Sequence, residues 1–454
     1  MRSYPKYKPS QVDFLDEVPS DWEVRRLASF GRFSKGGGIS KSDLVENGIP
    51  VILYGDIYTK YNLKAENIFN FISQDLVANS KRIYKGDLLF TGSGETREDI
   101  GKCIVYNGIS EVYAGSDTII FSQKTNDSLF LAYSLGSNYA ITKKAMNSKG
   151  DIIVHIYASS LRDIYLPIPP LSEQQQITNF LDYKTEQCDR FIANRQKQIE
   201  LLNEQRNSII NKAILNGLDE KIEFKQYENI FVNKLPKHWK LSSVKRELMI
   251  QNIEQQDGNH GELHPVATDY SDNGIPFVLA SDVNNYEVDL INCKKIPEDI
   301  AKKLRIGFSK TGDILLTHKG TIGRVGICNT KKYPYIILTP QVTYYRIKRD
   351  YLPKYIFYQF QSNVFIEQLK LLSGGGSTRD YVGIVAQREL KLIKPPIEEQ
   401  KELIEYIEKE TSTIETLISK YQKQIDLMQE YRTALISQAV TGKIDVREWK
   451  PPTK

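Results

Sequence analysis

The chain is written twice. Asn47-Gly48-Ile49-Pro50 reappears as Asn273-Gly274-Ile275-Pro276, Gly86-Asp87 as Gly312-Asp313, and Thr91 and Gly94 as Thr317 and Gly320, all 226 residues on. The same offset carries Arg162 to Arg388, Pro169-Pro170 to Pro395-Pro396, Glu173-Gln174 to Glu399-Gln400, Arg206 to Arg432 and Ala213 to Ala439. Pro19 and Trp22 match Pro236 and Trp239 at an offset nine residues smaller, so one early loop differs in length. Solenoid units run about 20–50 residues, so this period describes two copies of a whole domain with its connecting element. A tandem duplication behaves like a homodimer, and an approximate two-fold axis is expected. The copies agree at their ends and differ in their middles, as a common frame carrying two different surfaces would.

Each copy closes with a heptad pattern. Ile177, Leu181, Lys184, Cys188, Phe191, Arg195, Ile199, Leu202, Arg206, Ile209 and Ala213 step by four and three, alternating except for two successive fours across Arg195. The second copy repeats the phase through Leu403, Ile407, Glu410, Ile414, Leu417, Tyr421, Ile425, Met428, Arg432, Leu435 and Ala439. The Pro-Pro pairs prevent helix upstream, Ser172 with Gln175 reads as a capping box, and Gly217 and Gly442 are natural stops. Helices are therefore predicted over 172–216 and 397–440, each about 45 residues and roughly 65 Å long at about 1.5 Å per residue. Neither seam can be buried alone, so each helix is the other's simplest partner, and repeats related by a two-fold axis would run antiparallel. Arg206 and Arg432, polar on the seam, either fix register or mark where a partner docks.

Residues 20–168 and 237–394 hold short β-branched and aromatic runs: Ile49–Tyr54, Asp87–Phe90, Ile336–Leu338 and Val342–Tyr345 are predicted strands. Helical patches follow near 128–145 and 353–371. The expected fold is α+β: two mixed α/β domains in pseudo-two-fold arrangement, joined by two long antiparallel coiled-coil helices. The boundaries read 1–168, 169–217 (first helix), 218–236 (linker), 237–394, 395–442 (second helix) and 443–454 (tail).

Charge separates these parts. The net charge is only +5, but the two helices together carry −4, leaving about +9 elsewhere. Glycine-rich turns in the globular parts combine basic and hydroxyl residues: Ser34-Lys35-Gly36-Gly37-Gly38, Thr91 to Arg97, Asn147 to Gly150, Thr317 to Thr321, and Ser373 to Arg379. Such turns let backbone approach a ligand and offer N–H, hydroxyl and guanidinium donors suited to phosphates and to guanine edges. Lys35, Arg97, Lys149, Lys319, Thr321, Arg324 and Arg379 are the contact candidates. The 27 tyrosines are many for this length; some suit core positions with the hydroxyl at the surface, and others suit contact with bases or phosphates.

Several chemistries find no support. Asp87 to Gly94 loosely resembles a glycine motif that cradles S-adenosylmethionine, but the Asn/Asp-Pro-Pro-aromatic segment of an amino methyltransferase is absent and the second copy loses the middle glycine. Gly94 to Cys103 has the wrong spacing for a P-loop. Asp219, Glu223 and Lys225 mimic a nuclease cluster but lie in a charged linker without a predicted strand pair. His260 and His264 stand alone in a polar loop, and four scattered cysteines form no CxxC pair. No catalytic, cofactor or metal site is expected. No apolar run reaches eighteen residues and the N-terminal segment lacks a signal's apolar stretch, so a reducing cytoplasmic setting is expected.

Leu166-Pro167-Ile168-Pro169-Pro170-Leu171-Ser172-Glu173-Gln174 and Leu392-Ile393-Lys394-Pro395-Pro396-Ile397-Glu398-Glu399-Gln400 resemble the DNA-specificity subunit of type I restriction–modification systems. So do Val18-Pro19-Ser20-Asp21-Trp22, Leu235-Pro236-Lys237-His238-Trp239 and Thr317-His318-Lys319-Gly320-Thr321-Ile322-Gly323. The resemblance covers nearly the whole chain. It implies two target-recognition domains reading the halves of a split double-stranded DNA site, a helix pair setting the gap, two methyltransferase subunits docked on the helices, and two motor-nuclease subunits joining for cleavage. S-adenosylmethionine, ATP and magnesium would sit on those partners, and Glu173, Gln174, Glu399 and Gln400 join Arg206 and Arg432 as frame or partner candidates. The first copy departs at Thr91 to Arg97, so the resemblance carries a contact role onto that loop less directly. A methylation-only system, a fused enzyme and a protein scaffold are the alternative readings.

Overall fold

Two helices dominate the secondary structure, Leu171–Asn216 and Ile397–Val440, of 46 and 44 residues. The computed structural model describes residues 2–150, 153–261, 263–284, 287–330, 332–374 and 381–452. Each helix starts directly after its proline pair: the Gln174 N–H donates to the Pro170 carbonyl at 3.0 Å and the Gln400 N–H to that of Pro396 at 3.0 Å. Ser172 therefore lies inside the first turn, and the capping box expected there has no place. Gly217 and Gly442 end the helices at φ +72° and +75°, left-handed values that a side chain rarely adopts. Every predicted seam position is buried or half-buried except Glu410, which is exposed; its charge keeps it in water.

The chain folds as two units, Met1–Gln196 with Gln422–Lys454, and Lys197–Tyr421. In the first, Ile177 and Leu181 near the start of the first helix share a core with Leu435 and Ala439 near the end of the second. In the second unit, Ile210 and Ala213 share a core with Leu403 and Ile407. Within each unit the helical segments thus run antiparallel, as expected for repeats related by a two-fold axis. One arginine per unit crosses the pair. Arg432 Nε lies 2.9 Å from Asp189 Oδ1, and Arg206 Nε lies 3.4 Å from Glu415 Oε1 while its terminal nitrogen bonds Gln361. These two contacts are the same contact under the repeat, since Asp189 and Glu415 are 226 apart.

The globular part of each unit repeats one plan. In the first, a sheet runs Gly31–Lys35, Thr118–Gln123, Leu88–Thr91, Cys103–Tyr106 and Lys64–Ala65; in the second, the order is Ile253–Asp257, Val342–Ile347, Ile314–Thr317 and Val325–Ile327. A second sheet in each, centred on Ile49–Ile52 beside Val112–Ala114 and on Ile275–Val278 beside Ile336–Leu338, has that central pair parallel. The run predicted as strand to Tyr54 turns at Leu53 and continues as a short helix, Tyr54–Thr59. Helix pairs Ser128–Leu135 and Asn138–Met146, and Pro353–Gln361 and Asn363–Leu372, cover the first sheets.

The first turn of each long helix is tied to its own domain by the repeated Glu-Gln. Trp22 Nε1 donates to Glu173 Oε1 at 3.2 Å, as Trp239 Nε1 does to Glu399 Oε2 at 2.8 Å. The buried Gln174 accepts from the Asp127 N–H at 2.8 Å and donates to the Pro169 carbonyl at 2.8 Å. Gln400 accepts from the Leu352 N–H at 2.8 Å and donates to the Pro395 carbonyl at 2.9 Å. Residues 218–236, expected as a plain linker, contain a strand pair, Phe224–Gln226 with Lys234–Pro236, that brings Trp239 to its helix. Lys225 lies in that ladder opposite Leu235, so the sequence-level premise of an unpaired segment fails; Asp219 is spent on the Lys221 N–H and Glu223 on Lys237 Nζ. In the first unit the same job falls to the hairpin Tyr7–Val12 with Leu15–Pro19 and to residues after Gly442, where Trp449 packs edge-on to Phe180 at 5.3 Å.

Arg206 is 4% exposed, whereas the Arg432 side chain is 21% exposed. Removing one partner costs about 1 kcal/mol for a solvated pair and about 3–5 for a buried one, and the Arg206–Glu415 pair, buried on the arginine side with its carboxylate 37% exposed, lies between these while Arg432–Asp189 lies at the solvated end. Arg206→Ala is therefore expected to lower the urea midpoint of the full chain clearly more than Arg432→Ala. Equal losses would contradict the asymmetry.

Candidate nucleic-acid interface

The first unit's middle strand, Leu88–Thr91, leaves its sheet into the turn that carries the first-copy candidates. The Gly92 N–H donates to the Asp117 carbonyl at 2.6 Å, and the Ile156 N–H to the Gly92 carbonyl at 2.9 Å. A side chain at position 92 would place its Cβ 2.8 Å from that Asp117 oxygen, so the approach needs glycine. Ser93–Gly94 then pairs antiparallel with Val154–His155, and His155 exchanges backbone hydrogen bonds with Lys149 at 2.9 and 2.7 Å. Arg97 donates to the Gly150 carbonyl at 3.1 Å. Lys35 lies 3.9 Å from Asp117 Oδ1, and Asp117 Oδ2 accepts from Ser93 Oγ at 3.2 Å. Lys35, Arg97 and Lys149, distant in sequence, thus stand around one short ladder, all three exposed. Beneath them the buried Lys144 donates to the Gly101 carbonyl at 2.7 Å, and burial pushes its pKa down to about 8. It supports the loop rather than facing outward.

The second unit builds the same place. After Ile314–Thr317, the His318 N–H donates to the Gln341 carbonyl at 3.0 Å and the Val382 N–H to the His318 carbonyl at 2.9 Å. Lys319 bridges Tyr381, the residue 226 after His155, just as Ser93 pairs with His155. Thr317 closes the turn: its N–H donates to the Arg324 carbonyl at 3.0 Å, and its hydroxyl accepts from the Arg324 N–H at 3.0 Å. Gly320 and Gly323, at φ +79° and +87°, allow that turn. Lys319 and Thr321 are exposed and Arg324 half-buried, so these three candidates also come together. Arg379 lies outside the described residues.

Behind this turn the His318 ring is fully buried, with Nε2 2.8 Å from Asp257 Oδ1 but off the line of a hydrogen bond. Gln387, also fully buried, donates to the Val382 carbonyl at 2.8 Å and accepts from the Tyr345 hydroxyl at 2.7 Å. It holds the Tyr381 segment in place. Sequence reasoning missed His155, Tyr381 and Gln387. Following the 226-residue offset would have matched His155 with Tyr381, but Leu161 stands where Gln387's twin would be, so no repeat signal marked it.

The frame candidates sit elsewhere. Glu173, Gln174, Glu399 and Gln400 spend their side chains on helix-to-domain bonds, and Arg206 and Arg432 on the helix pair. His260 and His264 each place Nδ1 3.0 Å from a backbone carbonyl, and no cluster of potential metal ligands occurs among the described residues. Among those residues no helix is long and apolar enough to cross a membrane.

Residues 19–201 match the family described as the type I restriction modification DNA specificity domain. Over nearly its whole length the chain is similar to type I restriction–modification specificity subunits. It is 26% identical over 441 residues to the type I restriction enzyme MjaVIII specificity subunit of Methanocaldococcus jannaschii, covering 95% of this chain and 94% of that one. It is 24% identical over 450 residues to the EcoKI specificity subunit of Escherichia coli, covering 96% and 91%. A solved chain from a study of complex assembly and conformational transition of the type I system has the same fold, with a TM-score of 0.58 at 13% identity over 94% of this chain and 99% of that one. These relatives are named specificity subunits, which are non-catalytic.

Replacing Gln387 by leucine would leave the Val382 carbonyl and the Tyr345 hydroxyl without this partner. A loss of about 2–4 kcal/mol is expected, read as a fall in the urea midpoint of the full chain. An unchanged midpoint would show that the carboxamide does not hold the segment.

Proposed function

We propose that each unit reads one half of a bipartite double-stranded DNA target, and that the paired helices set the unread gap between the halves. The observation that carries this is the recurrence of one turn at one place in both units with different side chains on it: buried Ser93 and half-buried His155 in the first, exposed Lys319 and Tyr381 in the second. A shared frame with unlike contact residues suits two dissimilar half-sites. The positive charge of the globular parts supplies sequence-independent attraction to phosphate, and the turns supply donors for base edges. Two readers on one face of B-DNA engage sites about one turn, roughly 34–36 Å, apart, and a helix pair of roughly 65 Å is long enough to hold them so.

On this reading the chain makes no bond itself. It works in the cytoplasm with two methyltransferase subunits docked on the helical frame and two motor-nuclease subunits. S-adenosylmethionine, ATP and magnesium are bound by those partners and none by this chain. Adenine methylation takes place in a methyltransferase subunit after the base is flipped out.

Exchange of residues 20–168 for those of another family member is expected to alter one half of the methylated target and preserve the other, read by methylome sequencing. A change in both halves, or in neither, would refute the division of labour. Inserting matched heptads into both helices should change the length of the spacer while both half-sites persist; an unaltered spacer would remove the helices from that role.

A further inference from the structure

Accepting the half-site reading above, we propose that His155 in the first unit and the Lys319–Tyr381 pair in the second are equivalent base-reading positions of opposite hydrogen-bonding character. The segment Ile153–Tyr157 alternates: Val154 and Ile156 are buried under the turn, while Ile153, His155 and Tyr157 face the other way, exposed or half-exposed. The second unit repeats this with Val382 buried and Tyr381 exposed. Both segments are held by the same backbone bond, from the Ile156 N–H to the Gly92 carbonyl in one unit and from the Val382 N–H to the His318 carbonyl in the other. Whatever duplex the turn meets, positions 155 and 381 therefore meet it at corresponding points, beside positions 93 and 319.

The chemistry at those points differs. Ser93 Oγ donates to Asp117 Oδ2 at 3.2 Å, so its oxygen is left to accept from His155 Nδ1, 2.9 Å away. That places the proton of a neutral ring on Nδ1 and leaves Nε2 as a hydrogen-bond acceptor. An acceptor selects a base edge that presents an amino group, adenine N6 or cytosine N4. In the second unit the Lys319 ammonium sits 6.0 Å from the Tyr381 ring centroid, a donor steadied over an aromatic face. A donor-only group selects acceptors, and guanine O6 and N7 present two side by side. The two units use one cross-strand pair, 93 with 155 and 319 with 381, with reversed polarity: the acceptor stands on one member of the pair in the first unit and the donor on the other member in the second.

The test uses the assembled complex with its methyltransferase subunits, expressed in a host lacking other methylation and read by methylome sequencing. Lys319→Ala and Tyr381→Ala should each relax one base position in one half of the target, reducing discrimination there roughly ten- to a hundredfold, with the other half intact. Lys319→Arg, which keeps the donor, should retain the consensus. The double substitution Ser93→Lys with His155→Tyr should change one position of the other half toward a guanine. An unchanged consensus in the alanine variants, or loss of all methylation from a complex that still assembles, would overturn the assignment. The exchange of residues 20–168 separates the two ideas: if it moves one half of the target while these point variants do not, the half-site reading stands and the pair is wrong. If the exchange also leaves the target unchanged, the reading itself falls.

Discussion

The tie between each domain and the first turn of its long helix is the constraint on which the rest depends. A helix of more than forty residues with a narrow apolar seam is stable only when its seam is covered, and its direction is useful only if the domain at its end is held at a fixed angle. Two side chains in the first turn do the holding. The buried glutamine carboxamide replaces lost water contacts with main-chain bonds on both sides of the junction, and the glutamate receives an indole N–H from the start of the domain. Because the bonds are directional and buried, slippage would leave polar groups unpaired in a dry site. Both long helices are free of glycine and proline.

The duplication uses this joint twice and solves the chain-end problem in two ways. In the second unit the polypeptide passes from Gly217 through a small strand pair to Trp239 without a break. In the first unit the corresponding surroundings come from both ends of the chain: Asp445 bridges Arg2, and the Tyr7 hydroxyl donates to the Gly442 carbonyl at 3.0 Å. The nine-residue change of offset lies further on, between Trp22 and Asn47 in the first copy and Trp239 and Asn273 in the second, where the second copy is the longer.

Periodicity and punctuation made the frame legible in sequence. Heptad steps located both long helices to within a residue, and the proline pairs and glycines located their ends. The capping box misled because Ser172 matches a helix start in composition, yet Pro170 already accepts the first intrahelical bond. The linker hairpin was hidden because Phe224–Gln226 is a three-residue strand flanked by charges, too short for an alternating pattern. At the candidate interface, basic residues in glycine turns were visible, and the structure gathers Lys35, Arg97 and Lys149 in one unit and Lys319, Thr321 and Arg324 in the other. His155 and Tyr381 were not visible, since Ile153, Val154, Ile156 and Tyr157 read as a continuous apolar run and only tertiary structure shows which of them face outward.

On the proposed reading, two unlike grips and an inert spacer compose the DNA contact. Hydroxyl-radical footprinting of the assembled complex on a duplex carrying its methylated sequence tests this most directly. The account predicts two protected patches flanking bases whose identity can be changed without loss of binding. A single uninterrupted protected block whose every base matters, or protection that ignores sequence altogether, would contradict it.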